Sequence, residues 1–345
     1  MRIGTRLGRI GRFGKKVAWA LLDRRHPILV HIIPMRRCNL TCAYCNEYDA
    51  VSKPVPTDVM LGRIDKLADL GTAVMTISGG EPLMHPDLDT LVAHGRERGM
   101  VVTLISNGYY LSESRIEGLN RARLDHLQIS IDNVGPDESS MKSLRLLEPK
   151  LKWLAQRADF TVAINSVIGS GIRKPEDALV VARHARDLGF LTSLGIVHDG
   201  HGQLKPLGLR EMSVYEELRR IGRRGILRFN PLFQDNLAHG RPNDWSCRAG
   251  SRYLYVDESG LVSYCSQQRG MPGIPLESYG REDIRREYET KKACAPYCTV
   301  NCVQQIAIFD NWRSPQTAHA LFPLETRDRA PSSPAPSSDD GLLAG

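Results

Sequence analysis

Short apolar runs alternate along the middle of the chain with longer stretches in which apolar residues recur every three or four positions. The short runs predict strands and the periodic stretches predict helices, because these spacings place apolar side chains on one face of each element. The predicted strands are Ile28–Ile33, Ala73–Ile77, Val101–Ile105, His126–Ile131, Phe160–Val167 and Ser193–His198. The predicted helices are Thr57–Leu70, Asp87–Arg98, Ser112–Ala122, Ser139–Ala158 and Pro175–Leu188.

The ends of these helices carry local signals. Thr57 is expected to cap the first turn of its helix, and Gly71 and Gly189 follow the ends of two helices, where a left-handed backbone favours glycine. Strands that alternate with helices indicate an α/β protein with a parallel sheet and right-handed crossovers. Six units are fewer than the eight of a closed barrel. We therefore expect a partial (β/α)6 TIM-like barrel, with chemistry at the carboxyl ends of its strands.

Outside this region the alternation of strands and helices stops, and we predict five segments along the chain. Residues 1–27 form a basic amphipathic segment, 28–210 the barrel core, 211–245 a linker, and 246–318 a small Cys-rich α+β extension. Residues 319–345, rich in proline, serine and alanine, are expected to be disordered. The basic segment is either a solvated or packed extension, or a helix that residues 1–25 form on an anionic membrane surface.

Composition narrows the class of protein. Of 345 residues, 41% are hydrophobic and 25% charged, which excludes wholesale disorder and collagen-like sequence. The net charge of +7 is mild and aromatic residues are only 6%, so no nucleic-acid partner is expected. No apolar run approaches the roughly 20 residues that span a bilayer, and no secretory signal is recognisable. We expect a cytoplasmic protein, with peripheral contact at the cytoplasmic membrane face as an option.

Eight cysteines fall into two groups near opposite ends of the chain. Clustered thiols in a reducing compartment point to metal rather than to disulfides. Cys38, Cys42 and Cys45 share one loop after the first predicted strand. Three thiolates can hold three irons of a four-iron cluster and leave the fourth iron open. Zinc is the alternative, although structural zinc prefers four protein ligands.

Two further motifs follow the next two predicted strands, Ser78-Gly79-Gly80-Glu81-Pro82 and Ser106-Asn107-Gly108. Together with the Cys-x3-Cys-x2-Cys loop, in which Tyr44 precedes the last cysteine, they make residues 28–210 resemble the radical S-adenosylmethionine (SAM) superfamily. The resemblance implies a [4Fe–4S] cluster whose open iron binds SAM. It also implies that an electron from the cluster cleaves SAM to a 5′-deoxyadenosyl radical, which abstracts hydrogen from the substrate.

The same resemblance implies which residues bind SAM. Gly79, Gly80 and Glu81 are expected to help hold its amino group, with Tyr44 beside the cluster. Ser130 and Asp132, on one face of the fourth strand, are candidates for the ribose. The weaker candidates are Ser106, Asn107 and Asn165. Alternatively, these polar side chains only satisfy backbone groups at strand ends. No catalytic residue of this chain is identified.

The second cysteine group begins with Cys247, Gly260 and Cys265, a spacing similar to the opening of SPASM or twitch extensions. Tyr253–Val256 and Leu261–Tyr264 are the expected strands of its hairpin. A full SPASM domain needs at least seven cysteines, and this region has five. The resemblance therefore implies one auxiliary [4Fe–4S] cluster, with zinc as the alternative. The expected ligands are Cys247 and Cys265 plus two of Cys294, Cys298 and Cys302, Cys302 being favoured over Cys294.

Three substrate classes follow, in order of preference. Oxidation or rearrangement of a small molecule comes first, modification of a peptide or protein second, and modification of a lipid or isoprenoid at a membrane third. An electron donor such as flavodoxin or ferredoxin is expected. A non-enzymatic iron–sulfur carrier leaves the Gly-Gly-Glu-Pro turn unexplained. Near the substrate we expect the polar segment His198–Gln203, the run Ser266–Gly270, and Arg248 and Arg252 as anion anchors.

Overall fold

A nine-stranded sheet organises the residues that the computed structural model describes, which are 22–169, 171–197, 204–222 and 231–311. The strand order is β6-β5-β4-β3-β2-β1-β7-β8-β9. The strands are β1 Leu29–Ile32, β2 Val74–Ile77, β3 Val101–Ser106, β4 His126–Ser130, β5 Thr161–Gly169, β6 Leu191–Val197, β7 Tyr253–Val256, β8 Leu261–Ser263 and β9 Pro272–Pro275. The strands β1 to β6 are parallel, as the sequence predicted.

Seven helices connect the parallel strands of the described chain, and two more follow the last strand. They are α1 Thr57–Asp69, α2 Leu88–Glu97, α3 Glu113–Arg121, α4 Leu144–Arg157, α5 Asp177–Asp187, α6 Leu209–Gly222, α7 Pro231–Ala238, α8 Arg281–Glu289 and α9 Asn301–Asn311. The alternation confirms the predicted α/β partial barrel. No described helix is long and apolar enough to cross a membrane.

Two local predictions about the helices were wrong. Thr57 is the first residue of α1 and not its cap, because Pro56 occupies the cap position and no side chain caps the turn. The Thr57 hydroxyl donates instead to the Asp87 carboxylate at 2.6 Å. The helix predicted from Ser139 begins only at Leu144, and the residues before it form a loop that enters the candidate site.

The C-terminal hairpin extends the sheet of the barrel. The strand β1 pairs in parallel with β2 on one side and with β7 on the other. The antiparallel pair β7–β8 is the hairpin predicted from the sequence, and β9 continues it. The cysteine-bearing hairpin is therefore hydrogen-bonded directly to the strand that leads into the first cysteine loop.

A buried ion pair anchors this junction. The Arg252 guanidinium lies 2.9 Å from the Asp310 carboxylate, and neither side chain is more than 1% exposed. Arg252 also donates to the carbonyl oxygens of Asp23 and His26. The buried Arg248 donates to the carbonyl of Tyr288. Both arginines hold protein segments together, so the expectation that they anchor an anionic substrate was wrong.

Candidate functional site

The loop after β1 brings Cys38, Cys42 and Cys45 together at the carboxyl end of the sheet. Backbone hydrogen bonds shape it: Cys45 N–H donates to the Cys42 carbonyl at 3.1 Å, and Cys38 N–H to the Asp49 carbonyl at 3.0 Å. The Leu40 N–H points at the Cys38 sulfur, 3.4 Å away. Burial raises the pKa of Cys38 and of Cys45, so iron coordination would be needed to hold these thiols as thiolates.

The Gly79–Gly80 turn packs directly on the backbone that leads into this loop. Gly80 N–H donates to the Met35 carbonyl, and Glu81 N–H to the Arg37 carbonyl. A Cβ on Gly80 would lie 2.2 Å from the Arg36 carbonyl oxygen, and one on Gly79 would lie 2.6 Å from that of Met35. Both positions therefore require glycine because a side chain would collide with the protein's own backbone. The sequence indicated only a role for these glycines in binding SAM.

Glu81 joins the ends of β2 and β3. It is fully buried, and its carboxylate accepts hydrogen bonds from Leu83 N–H at 2.9 Å, Ser106 Oγ at 2.7 Å and Asn107 N–H at 2.8 Å. Burial raises its pKa, although these hydrogen bonds act in the opposite direction. The Asn107 amide reaches the loop, 2.8 Å from Asn39 Oδ1. Glu81, Ser106 and Asn107, all predicted from the sequence, are therefore linked to one another and, through Asn107, to the cysteine loop.

A second polar group surrounds Asp132. Its Oδ2 accepts from Tyr44 O–H at 2.5 Å and from Ser140 Oγ at 2.8 Å, and Lys142 Nζ lies 3.9 Å away. Lys142 also donates to the Tyr44 hydroxyl at 2.8 Å. Asp132 Oδ1 is buried and has no hydrogen-bond partner among the described residues. A buried acceptor without a donor is costly, which fits a ligand hydroxyl at this position.

Sequence reasoning found Tyr44 and Asp132 but missed Ser140 and Lys142. Those two lie in the segment that was predicted to be helical, and nothing in the local pattern indicates that Ser140 contacts Asp132 or that Lys142 contacts Tyr44. The other predicted residues lie further along the sheet. Ser130 is opposite Asn165 on the neighbouring strand, and Asn165 Oδ1 accepts from Ser193 Oγ at 2.8 Å.

The second cysteine group surrounds the β7–β8 hairpin. Cys247 and Cys265 are buried, Cys298 and Cys302 are half-buried, and Cys294 is exposed. Cys298 accepts a hydrogen bond from Val300 N–H at 3.4 Å. Burial raises the pKa of Cys265 to about 12 and that of Cys302 to about 11. Cys247 raises the pKa of Cys265, and Cys247, Cys265 and Cys294 raise that of Cys298.

The donor sets fit iron–sulfur clusters better than zinc. A structural zinc ion needs four ligands, with sulfur about 2.3 Å from the metal. Within the described part of the chain, no three His, Cys, Asp or Glu side chains converge on one such position. The two groups are instead sets of soft sulfur donors, the ligands that hold iron–sulfur clusters, and two of their sulfurs accept backbone N–H groups.

The two cysteine groups are linked by a partly buried polar contact. Glu47, two residues after Cys45, accepts from the Tyr255 hydroxyl of β7 at 2.6 Å. Arg269 donates to the same hydroxyl at 2.9 Å and binds Glu258 with two contacts of 2.8 Å. The Asn46 amide reaches the Ser266 carbonyl at 3.4 Å. The run Ser266–Gly270 thus lies against the first loop. The segment His198–Gln203 lies outside the described residues, as do 1–21 and 312–345.

Comparisons with known proteins agree with this arrangement. The sequence profile of the Radical SAM superfamily matches residues 32–202. PqqA peptide cyclase of Gluconobacter oxydans is 37% identical over 258 residues, covering 69% of this chain and 70% of that protein. The PqqA peptide cyclase of Granulibacter bethesdensis is 33% identical over 260 residues, covering 70% and 68%. Streptococcus suis SuiB bound to precursor peptide SuiA has a similar fold, with a TM-score of 0.58 and 17% identity over 80% of this chain and 68% of that one.

Proposed function

Because this chain belongs to the radical SAM superfamily, we propose that it is an enzyme that modifies a peptide by SAM-dependent radical chemistry. The superfamily's cofactors, a [4Fe–4S] cluster and SAM, are this chain's cofactors, and its SPASM-type relatives carry auxiliary clusters. We infer a peptide substrate from the match to two PqqA peptide cyclases over about 70% of the chain. The sequence alone favoured a small-molecule substrate, whereas the relatives favour the second class, a peptide or protein.

In this proposal Cys38, Cys42 and Cys45 hold the SAM-binding cluster, which supplies the electron for reductive cleavage of SAM when it is bound. The chain's own residues build the pocket around it. The Gly79–Gly80 turn fixes the path of the cysteine loop, and Glu81 locks the ends of β2 and β3 together. The buried Oδ1 of Asp132 offers an acceptor to a hydroxyl of SAM.

The second cysteine group would hold the auxiliary cluster. Cys247, Cys265, Cys298 and Cys302 are the four thiols that are buried or half-buried, and Cys294 is the exposed fifth. Their burial supports this choice of four, because a cluster ligand needs a site that limits solvent access. In this proposal the auxiliary cluster and the SAM-binding loop would lie on either side of the Glu47–Tyr255 contact.

The test is anaerobic turnover with a peptide. Reconstituted protein is mixed with dithionite and SAM, alone, with the PqqA peptide of Gluconobacter oxydans, and with a pool of low-molecular-weight metabolites. We expect the peptide to raise 5′-deoxyadenosine formation and to emerge with a changed mass. A new bond between two of its carbon atoms, for instance, removes two hydrogens. The control replaces Cys38, Cys42 and Cys45 by alanine and makes no 5′-deoxyadenosine. Stimulation by metabolites but not by peptides would overturn the proposal.

Two other predictions remain untested. Flavodoxin or ferredoxin as the electron donor is checked by replacing dithionite with each reduced protein and measuring 5′-deoxyadenosine. Membrane contact through residues 1–25 is checked by comparing how the full chain and a chain that starts at His26 sediment with anionic liposomes. Equal sedimentation would remove the membrane prediction.

A further inference from the structure

The segment that follows the first cysteine loop forms a turn with an exposed apolar side chain. Val51 is 83% exposed, although it lies only six residues after Cys45. Asp49 holds the turn, because its Oδ1 accepts from Val51 N–H at 3.0 Å and from Ser52 N–H at 2.8 Å. The Ser52 hydroxyl donates to the other oxygen of the same carboxylate. The backbone of the turn is therefore fixed, while its apolar side chain stays in water.

Main-chain hydrogen bonds join this turn to the cysteine loop. Cys38 N–H donates to the Asp49 carbonyl at 3.0 Å, and Asp49 N–H donates to the Arg36 carbonyl at 3.1 Å. Asp49 thus connects Val51 at the surface to Cys38, a predicted cluster ligand, through one side-chain and one main-chain hydrogen bond. Electron transfer slows steeply as the path between donor and acceptor lengthens. The turn provides a short path from the surface to the first cysteine group.

The free charges beside this turn are positive. Arg37, which is bridged to Asp49, and Lys53 are both exposed. Neither side chain makes an ion pair or a hydrogen bond with a residue that the structure describes. The two acidic side chains of the segment are engaged, since Glu47 accepts from a tyrosine of β7 and Asp49 holds the turn. Arg37, Val51 and Lys53 together are called the Val51 surface below.

The Val51 surface meets the cysteine loop on a different side from the pocket. The turn contacts the main chain of Cys38, whereas the pocket residues Asp132 and Ser140 contact Tyr44 and Cys42. A protein bound on the Val51 surface would leave the pocket side of the loop free for SAM and substrate.

We propose that the Val51 surface binds the protein that delivers the electron, a small acidic iron–sulfur carrier. This inference rests on the proposed function in one respect, namely that the first cysteine group holds a cluster. The carrier's iron–sulfur centre is oxidised by one electron and the cluster of this chain is reduced by one, with no bond formed or broken and no proton moved. Val51 supplies the apolar contact, and Arg37 and Lys53 face carboxylates of the carrier. Interfaces between redox partners are small and transient, and complementary charge chiefly speeds their association.

The experiment compares two reductants on the full chain, reconstituted with iron and sulfide. Protein and SAM are mixed with a reduced acidic [2Fe–2S] ferredoxin or with dithionite, and 5′-deoxyadenosine is quantified. Binding of the oxidised ferredoxin is measured separately by isothermal titration calorimetry, at low and at high salt. Val51→Asp and Lys53→Glu should each weaken ferredoxin binding and slow ferredoxin-driven turnover by about fivefold or more. Neither should change turnover with dithionite, which needs no docking surface.

Matched controls carry the same chemical changes elsewhere. Leu209→Asp places a carboxylate at an apolar side chain that is 94% exposed at the start of α6. Arg121→Glu reverses an exposed charge at the end of α3. Both controls should bind the ferredoxin as the parent does. Lys53→Arg keeps the charge and should also bind normally, and binding by the parent should weaken at high salt because exposed charges are screened.

The outcomes separate this inference from the proposed function. A parent chain that does not bind the ferredoxin, or variants that bind it as tightly as the controls, would overturn the inference and leave dithionite-driven peptide modification standing. Variants that also lose turnover with dithionite would overturn it too, because the residues would then shape the cysteine loop. Binding that is equally tight at low and high salt would refute the charge complementarity. A parent that binds ferredoxin but makes no 5′-deoxyadenosine with either reductant would contradict the proposed function alone.

Discussion

Replacing Gly80 by alanine should separate the Gly-Gly-Glu-Pro turn from the loop that carries the first three cysteines. The added Cβ would lie 2.2 Å from the Arg36 carbonyl oxygen and 2.3 Å from that of Arg37. Both neighbours are backbone atoms, and Cβ contacts below 3.0 Å are essentially absent from real proteins. Relief therefore requires the turn or the loop to move by about 1 Å, because overpacked backbone has no rotamer to change.

That movement breaks local hydrogen bonds as well as packing. The bonds from Gly80 N–H to Met35 and from Glu81 N–H to Arg37 measure 3.1 and 3.0 Å and cross this contact. Overpacking costs about 1–3 kcal/mol and each lost hydrogen bond about 1 kcal/mol. Together they predict a loss of about 3–5 kcal/mol in the free energy of unfolding, with the cysteine loop displaced.

The assay combines urea unfolding with iron content and SAM binding. Gly62→Ala is the matched control, because nothing lies within 4 Å of its added Cβ and the residue is in the exposed part of α1. Alanine there should stabilise the protein by up to about 1 kcal/mol. The Gly80→Ala protein should lose the iron bound by the first cysteine group, while the second group, which includes Cys247 and Cys265, should keep its iron. A Gly80→Ala protein with the stability, iron and SAM affinity of the control would refute the packing argument.

Three other substitutions test buried groups. Arg252→Met should cost about 3–5 kcal/mol by removing the cation beside the buried Asp310 carboxylate, and Arg252→Met with Asp310→Leu should cost less, both measured by urea unfolding. Burial lowers the pKa of His31 to about 4. The unfolded chain accepts a proton near pH 6.5 and the native ring does not, so stability should fall by about 2 kcal/mol between about pH 7.5 and pH 5. A His31→Gln protein with an equally steep pH dependence would contradict this. Tyr255→Phe removes the donor to the half-buried Glu47 and should cost about 1–3 kcal/mol; unchanged urea unfolding would contradict this.

Local sequence patterns predicted the strands and the motifs at their ends well. The β3 strand, predicted as Val101–Ile105 and observed as Val101–Ser106, is bounded by turn residues, buried along one face and half-buried at Thr103 and Ile105 on the other. Such strands are easy to recognise in the sequence because a largely buried strand forms a nearly continuous apolar run. The Cys-x3-Cys-x2-Cys loop and the Gly-Gly-Glu-Pro turn follow their strands directly, so topology alone brought them to one end of the sheet.

Contacts between distant segments could not be predicted. Lys142 and Ser140 lie almost 100 positions after the residues they contact, Tyr44 and Cys42. The local sequence around Ser140 and Lys142 predicts the start of a helix and does not indicate these contacts. The same holds for the pairing of β7 with β1, since strand neighbours so far apart in sequence are chosen by the packing of the whole sheet. The clash that makes Gly80 necessary is likewise visible only in three dimensions.

The central position of β1 has a consequence for biosynthesis. The chain makes β1 first among the strands, yet its second neighbour, β7, appears about 220 residues later. A nascent chain that has emerged only through β6 presents β1 as an exposed edge strand with unpaired backbone groups, which invite association with other chains. Premature termination before β7 therefore yields a chain with an open sheet, in which the first cysteine loop lacks its contacts with Tyr255 and Ser266.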